Sequence, residues 1–592
     1  MITGQRSAPP DVGSCDEWGA DGGGVVPDIG WRRPRSVAGA RSDGCSAGQA
    51  GPGERSEAPG GPTVRSAAVD RAGGGVTPTV LRWGTTVVLA AVAIGAVLRF
   101  AAPSPLWLDE AISASLADEA ARGWSDLVDA LRHDGHPPLY YVLLAAWSEV
   151  AGDGDGVLRA FSGVLGVASL PLAWLVARRH LEPWGALLAV GVLATSPFAI
   201  RYATEVRMYE LLLVLLLLGH LAVVRAWECP TPHRLAAVSV VVACLLHTHY
   251  WALFAVVVAA AGLVVGISPA GRRRGIPAQR AGRLLAAVGV GCMAFVPWLP
   301  VFLDQAAHTG TPWSSPPRPT VVAAMALEAF GGGRGSEALL VVVVLSVLVT
   351  LGLSTRRGSG DGPPVLGFAD EGWLRVVVGF GVATVGLGAA ASLATGTAFQ
   401  GRYAVFALVP LLLAGSVGLR RLPPGAGLAG FVVLALLSGV SVARELDRGR
   451  TQLGEVADAV VADGSPGDLV VFCPDQLAPA GHRLLADRFT TLAHPALDDG
   501  RRVDWRDYAA RNAAVDVDSV ADALVAEAGV ARSAGAANVW LTWMDGYETF
   551  GGQCPDLRLA LAERLGRPTK AVYADADRFD DAANLSRFRL DP

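Results

Sequence analysis

The sequence predicts an α-helical, polytopic membrane protein that carries a separate α/β domain at its C-terminal end. Three observations predict it. Of the 592 residues 52% are hydrophobic and only 17% charged, far from the balance of a soluble protein. Apolar runs of roughly 17–22 residues recur from about residue 83 to residue 443, about what a ~30 Å bilayer core requires of a helix. After about residue 444 the pattern changes to short strand-like runs entered from Gly/Pro turns, "GSPGDLVVFCP" and "NVWLTWM", and a helical stretch, "LRLALAERLG".

Residues 1–78 are rich in Gly, Arg, Ser and Pro and hold no apolar segment. They read as a disordered cytoplasmic tail rather than a cleavable signal, or in part as an upstream start. Residues 79–443 form the membrane domain, with a long outer loop at 103–156, and 444–592 the extracytoplasmic domain. The net charge of −5 is small and spread out, which argues against a nucleic-acid partner. Seven cysteines without a CxxC pair or zinc spacing give no structural metal site.

Arginine-rich turns set the orientation, because basic residues in short loops stay cytoplasmic. With the tail inside, a first span at 83–102 delivers Asp109 and Glu110 to the outer face. The apolar part of "HDGHPPLYYVLLAAWSEV" is too short for a span and lies along the interface. Further spans follow at 157–177, 184–202, 209–227, 235–250, 251–268, 284–303, 337–354, 373–396, 403–419 and 425–443. Every basic turn, from "RRH" at 178–180 to "RR" at 420–421, then falls inside. The count is about eleven transmembrane helices, in a multi-pass plasma-membrane protein with its N-terminus cytoplasmic.

This folding gathers Asp109, Glu110, His133, His136, Glu205, Arg207, His247, His249, Gln400 and Arg402 at one face. Ionisable groups at membrane depth are costly and tend to line a cavity or pair with one another, so the set is a candidate site. The alternative is ordinary polar loop residues. Cys473 and Cys554 share the C-terminal domain, where an oxidising compartment permits a disulfide; two separate thiols are the other reading, since spacing does not show whether they meet.

The stretches "WLDEA", "HPPLYYVLLAAW", "SPFAIRYATEVRMYELL", "HTHYWALF" and "FQGRYAVFALVPLLL" resemble, in order and spacing, the membrane glycosyltransferases of the C-type fold (GT-C), in particular the protein O-mannosyltransferases and aminoarabinose transferases of the glycosyltransferase family 39 kind. The likeness covers roughly residues 83–420 and is weaker in "PGDLVVFCPDQLAP". It implies transfer of a monosaccharide, mannose first, from a polyprenyl-phosphate donor to an acceptor hydroxyl on the extracytoplasmic side, with inversion. The motif places the general base at Asp109. An acceptor hydroxyl is a weak nucleophile and needs such a carboxylate.

Glu110 would stabilise developing oxocarbenium charge or hold the acceptor; its alternative is a helix-start residue favoured by the dipole. Neighbouring helical residues diverge by about 100°, so only one of the pair addresses the reacting carbon. Arg207 and Arg402 are candidates for the donor phosphate, since guanidinium offers paired donors, and Arg99 is a third, with snorkelling to the headgroups as its alternative. Glu205, Tyr209, His136, His249 and Gln400 complete the candidate substrate contacts. A carboxylate that some relatives carry at the Tyr209 position is missing, which puts a two-acid mechanism in doubt. The H-x-H of His247 and His249 is weak evidence for a metal, so no cofactor is expected, although a divalent ion remains open. The Ala, Gly, Arg and Val bias suggests a GC-rich bacterial genome, and an acceptor that is a cell-envelope glycan or a protein. Rival readings are a transporter or flippase of lipid-linked sugars, which would need discontinuous helices near the midplane, and an inactive scaffold of the same fold.

Overall fold

The structure is a computed structural model that describes residues 78–590 apart from 103, 312, 313, 315, 316, 334, 357–364 and 368–370. The expected disordered tail lies outside the described residues except for Pro78, which opens the first helix.

Seven helices among the described residues are long and apolar enough to cross a bilayer, and the pair Pro183–Ala194 and Pro197–Ala203, bent by 55°, makes an eighth if taken as one span. Three shorter apolar helices, Arg82–Leu98, Pro232–Thr248 and Ala252–Ile267, overlap the remaining expected spans. The helix Leu139–Ala151 occupies the stretch expected at the interface. Between the spans expected at 284–303 and 337–354 lies a further helix, Pro319–Gly331, with its proline at the first position, where a missing N–H costs nothing.

The bend at Thr195–Ser196 has a local cause. Pro197 has no N–H to give to the carbonyl of Leu193, so the helix cannot run on. The guanidinium of Arg99 takes that carbonyl at 3.0 Å, with those of Ala194 at 2.9 Å and Gly95 at 2.7 Å. Gly95 is needed for this crossing: a Cβ there would lie 2.1 Å from the Ala194 oxygen. Close glycine contacts also join Ser336–Ser354 to Val405–Arg421, where a Cβ on Gly418 would sit 1.9 Å from Leu348 O and one on Gly352 2.1 Å from Ala414 O. Small residues let membrane helices approach backbone to backbone, where packing rather than hydrophobicity drives association.

The last long helix, Pro424–Asp447, runs a few residues past the expected end of the final span. A C-terminal α/β unit follows. Its five-stranded sheet has the spatial order Thr490–Ala493, Leu469–Cys473, Asn538–Trp543, Asn584–Arg589, Thr569–Val572. The first three strands are parallel and the last two antiparallel additions. Val470, Phe472, Trp540 and Leu541 are fully buried in it, as expected of central strands covered on both faces. Asp468 ties two strands together by accepting from the Asn538 amide (2.7 Å), the Trp540 indole (3.0 Å) and the backbone N–H groups of Ser465, Ala537 and Asn538. Cys473 and Cys554 are bonded to each other, with their Cα atoms 5.5 Å apart.

This unit sits on the end of the bundle that carries Asp109. Ion pairs hold it there: Arg502 to Glu119 at 2.6 Å, Arg506 to Asp304 at 3.0 Å and Arg483 to Asp155 at 2.8 Å.

Candidate functional site

Asp109 and Glu110 occupy the first turn of the helix Leu108–Arg122, where carboxylates suit the unpaired N–H groups and the helix dipole. One residue of separation turns them apart. Asp109 faces a cavity of about 390 Å³, while Glu110 faces the protein interior and is fully buried.

In the cavity, Arg402 donates from Nη1 to Asp109 Oδ2 at 2.6 Å, and Arg207 Nε lies 3.9 Å from the same oxygen. Burial works against ionisation of Asp109, but the guanidinium of Arg207, then that of Arg402, with His136 beside them, more than offset it and hold the carboxyl at about 2. Arg207 Nη2 donates to His136 Nε2 at 3.0 Å, which leaves His136 Nδ1 to donate to Asp134 at 2.8 Å. His249 Nδ1 accepts the N–H of Trp251 at 3.1 Å, so a neutral ring carries its hydrogen on Nε2. That Nε2 is buried without a partner, as are Nε of Arg207 and of Arg402. Unsatisfied buried donors are expensive in a finished core, and all three belong to residues that line one cavity.

Asp109, His136, Arg207, His249, Gln400 and Arg402 therefore meet in one place. Glu110, Arg99, Glu205, Tyr209, His133 and His247 do not line the cavity. Glu110 accepts from Arg159 at 2.8 and 2.5 Å, from Arg450 at 3.3 Å and from the N–H of Val206 at 3.0 Å. It is a buried strut and does not face the site, because the pitch of the helix turns it about 100° from Asp109. Arg99, fully buried, caps the broken span instead of reaching toward a phosphate. Glu205 is buried and pairs with Arg201 at 3.6 Å. Tyr209 lies beneath, with its ring 6.0 Å from the Arg402 guanidinium carbon, a cation–π support rather than a wall. His247 turns away to the Ala243 carbonyl at 2.8 Å, so the two histidines diverge. No group of three or more His, Cys, Asp or Glu among the described residues is placed to hold a metal ion.

Several site residues escaped sequence reading. Arg159 was detectable, as a cation inside the apolar run "VLRAFSG". Arg450 sits in "DRGRT", which looks like any basic flank. Trp505 and Tyr547 also line the cavity, brought there by the docking of the α/β unit, with the N–H of Trp505 held by the His133 carbonyl at 3.0 Å. Nothing local in the sequence signals that contact.

A bundle of apolar helices with a carboxylate on the first outer-loop helix, cations from two later segments and an α/β unit over them defines a class: a multi-span membrane protein of the C-type glycosyltransferase fold. The family profile described as dolichyl-phosphate-mannose-protein mannosyltransferase matches residues 135–300. The crystal structure of ArnT from Cupriavidus metallidurans in the apo state is similar at 12% identity and TM-score 0.52, over 86% of this chain and 98% of that one. The same protein bound to undecaprenyl phosphate is similar at 11% identity and TM-score 0.50, over 86% and 97%. At this identity the likeness speaks for the fold alone. No curated protein matches the sequence.

Proposed function

We propose that this protein is a membrane glycosyltransferase that moves a monosaccharide, mannose first, from a polyprenyl-phosphate donor to an acceptor hydroxyl, with inversion and with Asp109 as general base. The observation that carries the reading is Asp109 held between Arg207 and Arg402 at a cavity lined also by His136 and His249, with N–H groups of both arginines and of His249 that have no hydrogen-bond partner. Those donors suit a lipid phosphate. The family profile is named for a polyprenyl-type donor of mannose, and the fold neighbour was solved with undecaprenyl phosphate.

With Arg207 and Arg402 beside it, Asp109 is too acidic to be a good base. A phosphate arriving at Arg207 and Arg402 draws their charge away from the carboxylate, and its basicity rises as the donor seats. The acceptor oxygen then forms a bond to the anomeric carbon as the bond from that carbon to the phosphate oxygen breaks. The acceptor proton goes to Asp109, and polyprenyl phosphate leaves with the bonding electron pair. The arginines stabilise the charge it gains. Gln400 and the rings of Trp505 and Tyr547 surround the sugar.

By the positive-inside rule the site faces the extracytoplasmic side of the plasma membrane, with residues 1–78 in the cytoplasm and 444–592 outside. Acceptors of this reading are a cell-envelope glycan or a protein. A transporter of lipid-linked sugars is the second reading, and the broken span at Thr195–Ser196 favours it; against it, Arg99 already takes the freed carbonyls. The test is the full-length protein in proteoliposomes with labelled polyprenyl-phosphate mannose and other sugars, and a membrane acceptor pool. Label on the acceptor supports transfer; label that stays on the lipid while changing sides overturns it.

A further inference from the structure

We propose that Arg450 is a positioning residue that sets Asp109 and Arg207 against each other, so that the docking of the C-terminal unit completes the site. The inference rests on the reading of Asp109 as the base.

Arg450 lies in the strand Gly449–Thr451, just past the last long helix, and that strand is fixed by parallel pairing to Phe579–Asp581. From there its guanidinium enters the interior of the bundle end, where only 6% of the residue stays exposed. Nη1 donates to Glu110 Oε1 at 3.3 Å and to the Thr204 carbonyl at 2.6 Å, and Nη2 to Thr204 Oγ1 at 2.7 Å. Glu110 closes the ring by accepting the N–H of Val206 at 3.0 Å. These anchors lie close in the chain to cavity residues: Glu110 follows Asp109, Val206 precedes Arg207, and Thr204 comes three residues before Arg207. The backbone N–H of Arg450 also reaches Ser104 Oγ at 3.3 Å, on the segment that leads into the Asp109 helix.

Charge balance alone does not explain Arg450. Arg159 already meets both oxygens of Glu110, and the other buried carboxylate nearby, Glu205, pairs with Arg201, so neither carboxylate depends on Arg450 for a cation. What the second arginine adds is geometry: it joins the C-terminal unit both to Glu110 and to Thr204, on the turn whose Val206 N–H Glu110 also holds. Arg502 gives a contrast. It pairs the same unit with the same helix, at Glu119 (2.6 Å), but at the far end from Asp109.

The experiment uses the full-length protein in nanodiscs, as wild type, Arg450→Met, Glu110→Gln, the double variant and Arg502→Met. Misplacing a reacting group by about 1 Å costs up to about a hundredfold, so Arg450→Met should lower kcat by about tenfold to a hundredfold and leave KM for the donor within about threefold. Glu110→Gln should behave alike, and the double variant should be no slower than the slower single one, because both act through one network. Arg502→Met should stay within about twofold of wild type. Hydrogen exchange should show protection lost in residues 104–113 and 203–208 of Arg450→Met, with the strands Leu469–Cys473 and Asn538–Trp543 unchanged. Multiplying losses in the double variant, an equal loss in Arg502→Met, or loss of protection across the whole sheet would overturn the proposal. If the wild-type protein transfers no sugar, the functional reading fails by itself, and the exchange comparison still decides Arg450: selective loss supports it, and uniform or no loss overturns it.

Discussion

Replacing Arg402 by methionine removes the shortest contact to Asp109 and keeps most of the side chain's bulk. The carboxyl is held at about 2 against an ordinary 3.8, which at about 1.4 kcal/mol per pH unit favours the carboxylate by about 2.5 kcal/mol. The lost hydrogen bond to a charged group is worth about 1.5–3 kcal/mol, and burial continues to oppose ionisation. With Arg207 and His136 still beside it, the Asp109 carboxyl should rise from about 2 toward its ordinary value. In the free wild-type enzyme the base is lost only as the pH falls through about 2, so kcat/KM should show no acid limb from Asp109 above about pH 4. In Arg402→Met an acid limb should move up toward the ordinary carboxylate range of about pH 4, together with a higher KM for the donor. The assay is the pH profile of kcat/KM for sugar transfer. A variant profile that overlays the wild-type acid limb would refute the electrostatic account of Asp109.

Three further outcomes follow from the same contacts. His249→Phe keeps the ring among His136, Tyr209 and Tyr403 but removes the Nε2 donor, so affinity for polyprenyl phosphate in nanodiscs should fall about tenfold, and an unchanged affinity would take His249 out of the phosphate set. Gly418→Val forces a Cβ to within 1.9 Å of the Leu348 oxygen, so size-exclusion chromatography should show little monodisperse protein, and a normal yield would mean that this helix contact is not needed. In the α/β unit, burial pushes the Asp475 carboxyl up to about 7 against the pull of the Tyr508 hydroxyl, with Asp498 adding to the rise. The folded state then keeps a proton that the unfolded chain gives up above an ordinary 3.8, so stability is lost as the pH rises from there through about 7. Asp475→Asn should remove that slope and raise the Tm more at about pH 8 than at about pH 4, and equal shifts at both would contradict it.

The fold was legible because membrane helices announce themselves by length and apolarity, and because Arg marks their turns. The broken span was less so, since Pro197 is visible but the arginine that satisfies its freed carbonyl comes from another helix. In the site, the ionisable residues of the outer turns pointed to their own convergence. Direction was the part that sequence could not carry. Asp109 and Glu110 are adjacent and alike in chemistry, yet one faces the cavity and the other is locked to Arg159 and Arg450. Arg99 looked like a phosphate ligand because its partners, backbone carbonyls, are invisible in any sequence. Trp505 and Tyr547 depend on how two parts of the chain dock, a long-range contact with no local pattern.

The most direct test is sugar transfer from labelled polyprenyl-phosphate mannose by wild type and Asp109→Asn, at matched amounts of folded protein. Asparagine keeps the shape but cannot take the acceptor proton, so transfer should fall by about a hundredfold or more while binding of the lipid phosphate persists. An Asp109→Asn variant that transfers at the wild-type rate would contradict the account.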